Sequence, residues 1–379
     1  MPIVLCATLL AQGLESWTDG VRVGPVADGP HHSIHAYFNA CPESPDGRWV
    51  LYYASTAEDG HSGELRIRER ASGDERVVAR DIVTEDAHRA ACQQWVSGGR
   101  TVVYHTVTPE DRWHVMAVDV PDGTPRLLAK DRQLGFGPPL KDVVPLYGPH
   151  WAPGAHRDLE LLDVRSGEIR KTSLTAEALR AAYPDWVGKT FGDRPISIFF
   201  PVLGPDLRRV FFKAATPAGG DFRSKKASHR AGLLCYDLQD SRFLSLTERW
   251  GHPAWHPDGR RILEYGGIFI DGTTGAAAKI PNFPPTQGAY HPACSPDGRL
   301  FALDSMAEKF GGPAGSWQIL VGDAATGESV VLHRFDHSKG ARSWRPAHPH
   351  PVFSPDGRRI YFNVSDGPWT RLHVAERAR

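Results

Sequence analysis

Three stretches in the last third of the chain decide the fold: His252-Pro-Ala-Trp-His-Pro-Asp-Gly259, His291-Pro-Ala-Cys-Ser-Pro-Asp-Gly298 and His348-Pro-His-Pro-Val-Phe-Ser-Pro-Asp-Gly357. Each carries a Pro-Asp-Gly turn between two apolar runs. Proline presets φ at the second turn position and Asp-Gly closes a hairpin, so each stretch reads as strand, tight turn, strand. In each, a histidine lies six positions before the turn aspartate: His252 before Asp258, His291 before Asp297, His350 before Asp356. Equivalent positions in a repeat occupy equivalent positions in space. The spacing therefore predicts imidazoles converging on one point.

The same signature recurs upstream. Ser44-Pro-Asp-Gly-Arg is a full copy, whereas Trp95-Val-Ser-Gly-Gly-Arg, Leu203-Gly-Pro-Asp-Leu-Arg and, most weakly, Trp151-Ala-Pro-Gly are degenerate ones. Each turn is followed by a return strand, a third short run such as Leu65-Arg-Ile-Arg-Glu, a second turn such as Ala71-Ser-Gly-Asp, and a fourth run such as Arg76-Val-Val-Ala. Four antiparallel strands per ~40–60 residues describe a propeller blade. The expectation is an all-β chain, residues 1–379, forming a single seven-bladed β-propeller of four-stranded antiparallel blades. Trp95, Trp151 and Trp255 share a register and read as core between blades. Two segments depart from the repeat. Thr175 to Tyr183 reads as a short helix with a threonine cap, and Ala218 to Arg230 as a long basic loop.

Composition narrows the function classes. With 44 basic and 44 acidic residues the formal net charge is zero, so no nucleic-acid partner is advertised. No apolar run reaches a membrane span. The N-terminal Met-Pro-Ile-Val-Leu-Cys-Ala-Thr-Leu-Leu-Ala lacks a basic start, and reads as an edge strand ahead of a secretory signal, which favours a cytoplasmic location. Cys6, Cys41, Cys92, Cys235 and Cys294 form no CxxC pair and read as buried small residues, Cys294 included. There is no Gly-x-Ser-x-Gly elbow, Walker loop or dinucleotide fingerprint. Asp46, Asp258, Asp297 and Asp356 are turn residues, not catalytic carboxylates.

The innermost strand of a blade lines the central channel. His348 and His350 are two apart and share one face; His291 and His252 come from the two preceding blades. Such a cluster suits a divalent ion of the Mn, Fe, Co, Ni or Zn group. A second polar group gathers His31, His32, His35, Asn39, His88, Gln93, Gln94, His105, Tyr147 and His150, of which His88 and Tyr147 are candidate cleft residues.

The run Arg345-Pro-Ala-His348-Pro-His350-Pro-Val-Phe-Ser-Pro-Asp-Gly, with the tail Ser365-Asp-Gly-Pro-Trp-Thr-Arg-Leu-His-Val-Ala-Glu, resembles the C-terminal blade of oligogalacturonate lyases. His35-Ala-Tyr-Phe-Asn-Ala-Cys resembles the His-rich entry to that family's first blade. The resemblance implies a seven-bladed propeller that cleaves uronate oligosaccharides by β-elimination with a Mn²⁺-type ion. It places His291, His348 and His350 on three metal-binding positions and His252 on the general base. The family's glutamine ligand is replaced by Arg345, which cannot ligate a metal. That leaves a three-histidine site, with His252 as base or fourth ligand and Arg345 on the substrate carboxylate. The implied cofactor is Mn²⁺, with Zn²⁺ as the alternative; the implied partner is an acidic oligosaccharide. Arg223, Lys225 and Arg230 of the basic loop are candidates for its further carboxylates. Ulvan and other uronate lyases share the general plan, and in that reading His88, His105 and Tyr147 are catalytic while the metal is structural. A non-catalytic TolB-like module shares the Pro-Asp-Gly repeats but has no need of the histidines. A glycoside hydrolase needs paired cleft carboxylates, which are not evident.

Overall fold

The structure is a computed structural model that describes residues 13–284, 291–341 and 347–378. The Pro-Asp-Gly turns are built from their own side chains. Ser44 Oγ donates to Asp46 Oδ1 at 2.5 Å, the same carboxylate oxygen accepts the N–H of Arg48 at 3.0 Å, and the N–H of Trp49 returns to Ser44 Oγ at 2.9 Å. The pattern repeats at Ser295 and Ser354. At the fourth copy His256 Nδ1 takes the serine's place and accepts the N–H of Asp258 at 3.2 Å. Glycine follows because the turn places it at positive φ, 74° at Gly47 and 70° at Gly357. The aspartates are thus turn residues, as read from the sequence.

Five four-stranded antiparallel sheets follow one another along the chain. Sheet I runs from Gln94–Val96 to Arg126–Lys130, sheet II from Gln133–Leu134 to Ile169–Lys171, and sheet III from Ser197–Leu203 to Arg242–Thr247. Sheet IV runs from Ala254–Trp255 to Ala277–Lys279 and sheet V from Ala293–Cys294 to Ser329–Asp336. The remaining strands make one eight-stranded closing sheet drawn from both chain ends. Its leading half is His32–Ile34, Trp49–Ser55, Ser62–Glu69 and Glu75–Val83. Its trailing half is Val352–Phe353, Arg359–Val364 and Arg371–Glu376, completed by Arg22–Pro25, which pairs antiparallel with Arg371–Glu376. The halves are joined by a parallel pairing of Ser33 with Arg371.

The seam between the halves carries a buried ion-pair cluster. Arg359 grips Glu43 through two hydrogen bonds of 2.7 and 2.8 Å, and Tyr361 donates to the same carboxylate at 2.5 Å. Elsewhere the sheets pack through apolar residues. Trp95, fully buried, donates its indole N–H to the carbonyl of Pro42, and Trp255 donates to Val202.

The reading of sheet II needs correction. Trp151-Ala-Pro-Gly is not the turn after an innermost strand: that strand is Gln133–Leu134, and Trp151 follows the second strand, Val143–Tyr147. Trp151 is therefore out of register with Trp95 and Trp255, and it is only half-buried, stacked on Phe222 at 5.4 Å. The helix expected after Thr175 forms over Ala176–Ala182, with Thr175 Oγ1 accepting the N–H of Ala178 at 3.0 Å; a second helix, Pro184–Phe191, follows it. Cys41, Cys92, Cys235 and Cys294 are free thiols. Cys92 and Cys235 are buried as expected, whereas Cys41 and Cys294 are only partly buried, Cys294 at the edge of the apolar cluster that contains Leu263 and Phe301. Among the described residues no helix is long and apolar enough to cross a membrane. The N-terminal apolar stretch and Cys6 lie outside the described residues.

Candidate metal centre

His291 lies just ahead of the innermost strand Ala293–Cys294, and His348 and His350 just ahead of Val352–Phe353. The repeat brings His291 and His350 together as the spacing predicts, with His348 from the same segment beside them; His252, which the spacing also placed there, lies at the edge. The fourth member is His88, from the connection between the leading half of the closing sheet and sheet I. The ligand atoms of His88, His291, His348 and His350 all lie within 4.8 Å of one another. Ring centroids are 4.4 Å apart for His291 and His350, 4.6 Å for His88 and His350, and 4.5 Å for His88 and His348. His88, His291 and His350 are buried and His348 half-buried.

Neighbouring elements hold the His291 ring and the segments that carry the others. Asp304, wholly buried on Leu300–Met306, accepts Nδ1–H of His291 at 2.9 Å. Its two oxygens also accept the backbone N–H of His291 at 2.9 Å and of His350 at 3.1 Å. The connection bearing His88 is pinned by Asp86, which accepts the N–H of Arg89, and by Gln93, which donates to Ile34 O at 2.9 Å. Arg89 in turn holds Glu85 at 2.8 Å and Tyr147 Oη at 3.2 Å. Beneath the cluster lie Tyr37, 4.5 Å from the His350 ring, and Phe38, 5.2 Å from His291. These rings floor the site. On the far side of Phe38 is an apolar cavity of about 500 Å³ lined by the turn prolines Pro45, Pro257, Pro296 and Pro355.

The donor set fits a divalent ion. Both ring nitrogens of His350 are buried without a hydrogen-bond partner, and a buried polar atom ordinarily has one. Burial, reinforced by His291 and His348, drives the His350 pKa well below its usual value. The ring is therefore neutral, the form that binds a metal. Four imidazoles suit Mn, Fe, Co, Ni or Zn ahead of Ca or Mg.

The other expected site residues separate. His252 stands beside the group, its ring 4.7 Å from that of His291. Its N–H donates to Glu264 at 2.9 Å, and the Trp250 indole N–H points at its Nε2 from 3.4 Å. His105 is buried against Trp113, its Nδ1 accepts the N–H of Leu134, and burial pushes its pKa down to about 3. Tyr147 is fully buried, with its pKa raised by burial. Arg223 donates to Thr84 O at 3.1 Å and lies over Phe222. Lys225 is exposed; the expected loop ends earlier than Arg230, which belongs to the strand Ser228–Asp237 and lies 5.8 Å from the Trp250 ring. Arg345 lies outside the described residues. The sequence did not point to Asp304, nor to Lys213, whose Nζ lies 3.7 Å from the Trp250 ring centre. His88, a candidate cleft residue in sequence, joins the metal group instead; it lies six positions ahead of the innermost strand Gln94–Val96, where the other segments place His252, His291 and His350 two ahead.

No family model matches the chain, and no curated protein matches it in sequence. Solved structures do. An oligogalacturonate lyase from Vibrio parahaemolyticus is similar with a TM-score of 0.64, at 13% identity, over 94% of this chain and 93% of that one. A second oligogalacturonate lyase, in complex with manganese, reaches 0.42 at 17% identity over 96% and 95%. A putative TolB from Agrobacterium tumefaciens reaches 0.43 at 15% identity over 95% and 98%. Of these three the Vibrio enzyme shows the fold this chain shares.

Proposed function

We propose that the chain is a metal-dependent lyase that cleaves uronic-acid-containing oligosaccharides by β-elimination. In this reading each half of the closing sheet is one blade, which makes seven blades in a single domain. The observation that carries the proposal is the four-imidazole group with both His350 nitrogens buried and unpartnered. A scaffold has no use for such a group, and burying the His350 ring without partners is costly.

His88, His291, His348 and His350 hold the ion, Mn²⁺ foremost and Zn²⁺ second. When bound, it supplies positive charge to the uronate carboxylate as negative charge develops there. His252 is the base for the C5 proton. It is half-buried at the edge of the group, and its backbone is held by Glu264. Arg230, beside Trp250, is proposed for a substrate carboxylate, whereas the guanidinium of Arg223 donates to Thr84 O. Arg345 is proposed for the same task. The ulvan-type reading asks for His105 and Tyr147 as catalysts, but both are buried in hydrogen bonds to Leu134 and Arg89, which supports the first reading.

The test is ultraviolet absorbance of the unsaturated product on incubation with oligogalacturonate and other oligouronates, with added Mn²⁺ and with chelator. Activity should require the ion, and His252→Ala should lower kcat about 10²–10⁴-fold. Silence on every substrate with Mn²⁺ present refutes the lyase and leaves a binding module.

A further inference from the structure

We propose that Asp304 is the positioning residue of the histidine site: one buried carboxylate that sets the tautomer of His291 and the backbone of His350, and thereby the nitrogens that both present to a divalent ion. The inference rests on the metal-site reading above and deepens it.

Three donors converge on this side chain. Nδ1 of His291 lies 2.9 Å from Oδ2 and 3.2 Å from Oδ1. A carboxylate only accepts, so the proton sits on Nδ1 and the lone pair of His291 is left on Nε2. Asp304 also takes the N–H of His291 itself, so that ring and main chain are locked to the same group. The third donor is the N–H of His350, from the next sheet, at 3.1 Å.

That last bond carries more weight than its length suggests. His350 has φ of +51° and precedes Pro351. A non-glycine residue in the left-handed region is strained and persists only where its surroundings impose it. The Asp304 bond is part of that imposition. Asp304 belongs to the second strand of sheet V, Leu300–Met306, inside a ladder pairing it with Ile319. A rigid strand therefore sets the spacing between two ligands contributed by two different sheets.

Outer groups that orient ligating imidazoles typically change metal affinity by ~10–100-fold when removed. Asp304→Asn is the informative change, because an amide offers one acceptor oxygen and turns an N–H donor toward backbone donors. Equilibrium dialysis of the full chain against Mn²⁺ and Zn²⁺ should show Asp304→Asn binding ~10–100-fold more weakly than wild type. Asp304→Glu, which keeps the carboxylate, should recover part of the loss. The absorption bands of bound Co²⁺ should shift in Asp304→Asn, a change that a purely structural role would not produce.

Equal affinity of Asp304→Asn and wild type overturns the inference and leaves the metal site standing. A wild type that binds neither ion overturns the metal site, and the inference with it. Should Asp304→Asn fail to fold, the wild type decides: long-range nitrogen–proton NMR of histidine-labelled, metal-free protein, assigned with His291→Gln, must show His291 protonated on Nδ1. Protonation on Nε2 overturns the inference.

Discussion

Replacing Arg359 by methionine tests how the closing sheet is held. The guanidinium makes a two-bond fork to Glu43, and the two side chains are only 7% and 1% exposed. Removing the cation strands a buried carboxylate, a change that costs ~3–5 kcal/mol in comparable buried pairs. Tyr361 still donates to Glu43, and Arg70 stands 3.7 Å away, so the loss should fall at the lower end, about 3 kcal/mol. For a cooperative chain of 379 residues this lowers Tm by about 4 °C. Urea unfolding followed by fluorescence is the assay, and the chain's 11 tryptophans give the signal. Adding Glu43→Gln to the same protein removes the stranded charge and should recover a substantial part of the loss, since neutral partners avoid the desolvation of an unpaired ion. An Arg359→Met protein within ~1 kcal/mol of wild type, the range of an exposed ion pair, would refute the reasoning. So would a double variant as unstable as the single one.

Two further outcomes follow from the histidines. Burial lowers the pKa of His35 and His150 to about 4 and of His105 to about 3. Their folded pKa values lie below the unfolded one, so the unfolded chain binds more protons. Stability is then full above pH ~6.5 and falls as pH drops from there toward ~4 and ~3, by a few kcal/mol for each group. Denaturant midpoints that stay flat between pH 7 and 4.5 would contradict this. Divalent ion at ~100 times its Kd should raise stability by about 2.7 kcal/mol. The Tm increment in wild type should disappear in His350→Ala and shrink in His88→Ala; an undiminished increment in His350→Ala would remove that residue from the ligand set.

The repeat was legible because a Pro-Asp-Gly turn is a local event: Ser44, Asp46 and Gly47 satisfy one another within a few residues. The same locality placed His291 and His350 together, since each lies six positions before its turn aspartate, and His348 joins them from two positions earlier on the same segment; His252, at the same offset, stops beside the group. Sheet II escaped because its turn, Gly135-Phe-Gly-Pro-Pro, lacks the Asp-Gly pair, and Trp151 mimicked the expected tryptophan. His88 was legible as a candidate cleft residue but not as a member of the metal group, and Asp304 was not legible at all, for another reason. The connection carrying His88 holds two non-glycine residues at positive φ, Ala90 at 46° and Cys92 at 50°. Its path is set by contacts with Glu85, Tyr147 and Ile34, not by a periodic pattern. Asp304 looks like one polar residue in a strand until the two histidine segments are seen to fold over it.

The strand Arg22–Pro25 has a consequence for biogenesis. Its pairing partners lie at the other end of the chain, with Arg22 and Glu376 separated by 354 positions. At ~5–20 residues per second a ribosome needs roughly 20–70 s to deliver the second after the first. Throughout that interval the nascent protein carries an incomplete last sheet and an early strand with unpaired amides, the kind of edge that recruits other chains. The final sheet therefore closes only after the strand Arg371–Glu376 has been made, and the edge of Arg22–Pro25 stays open until then.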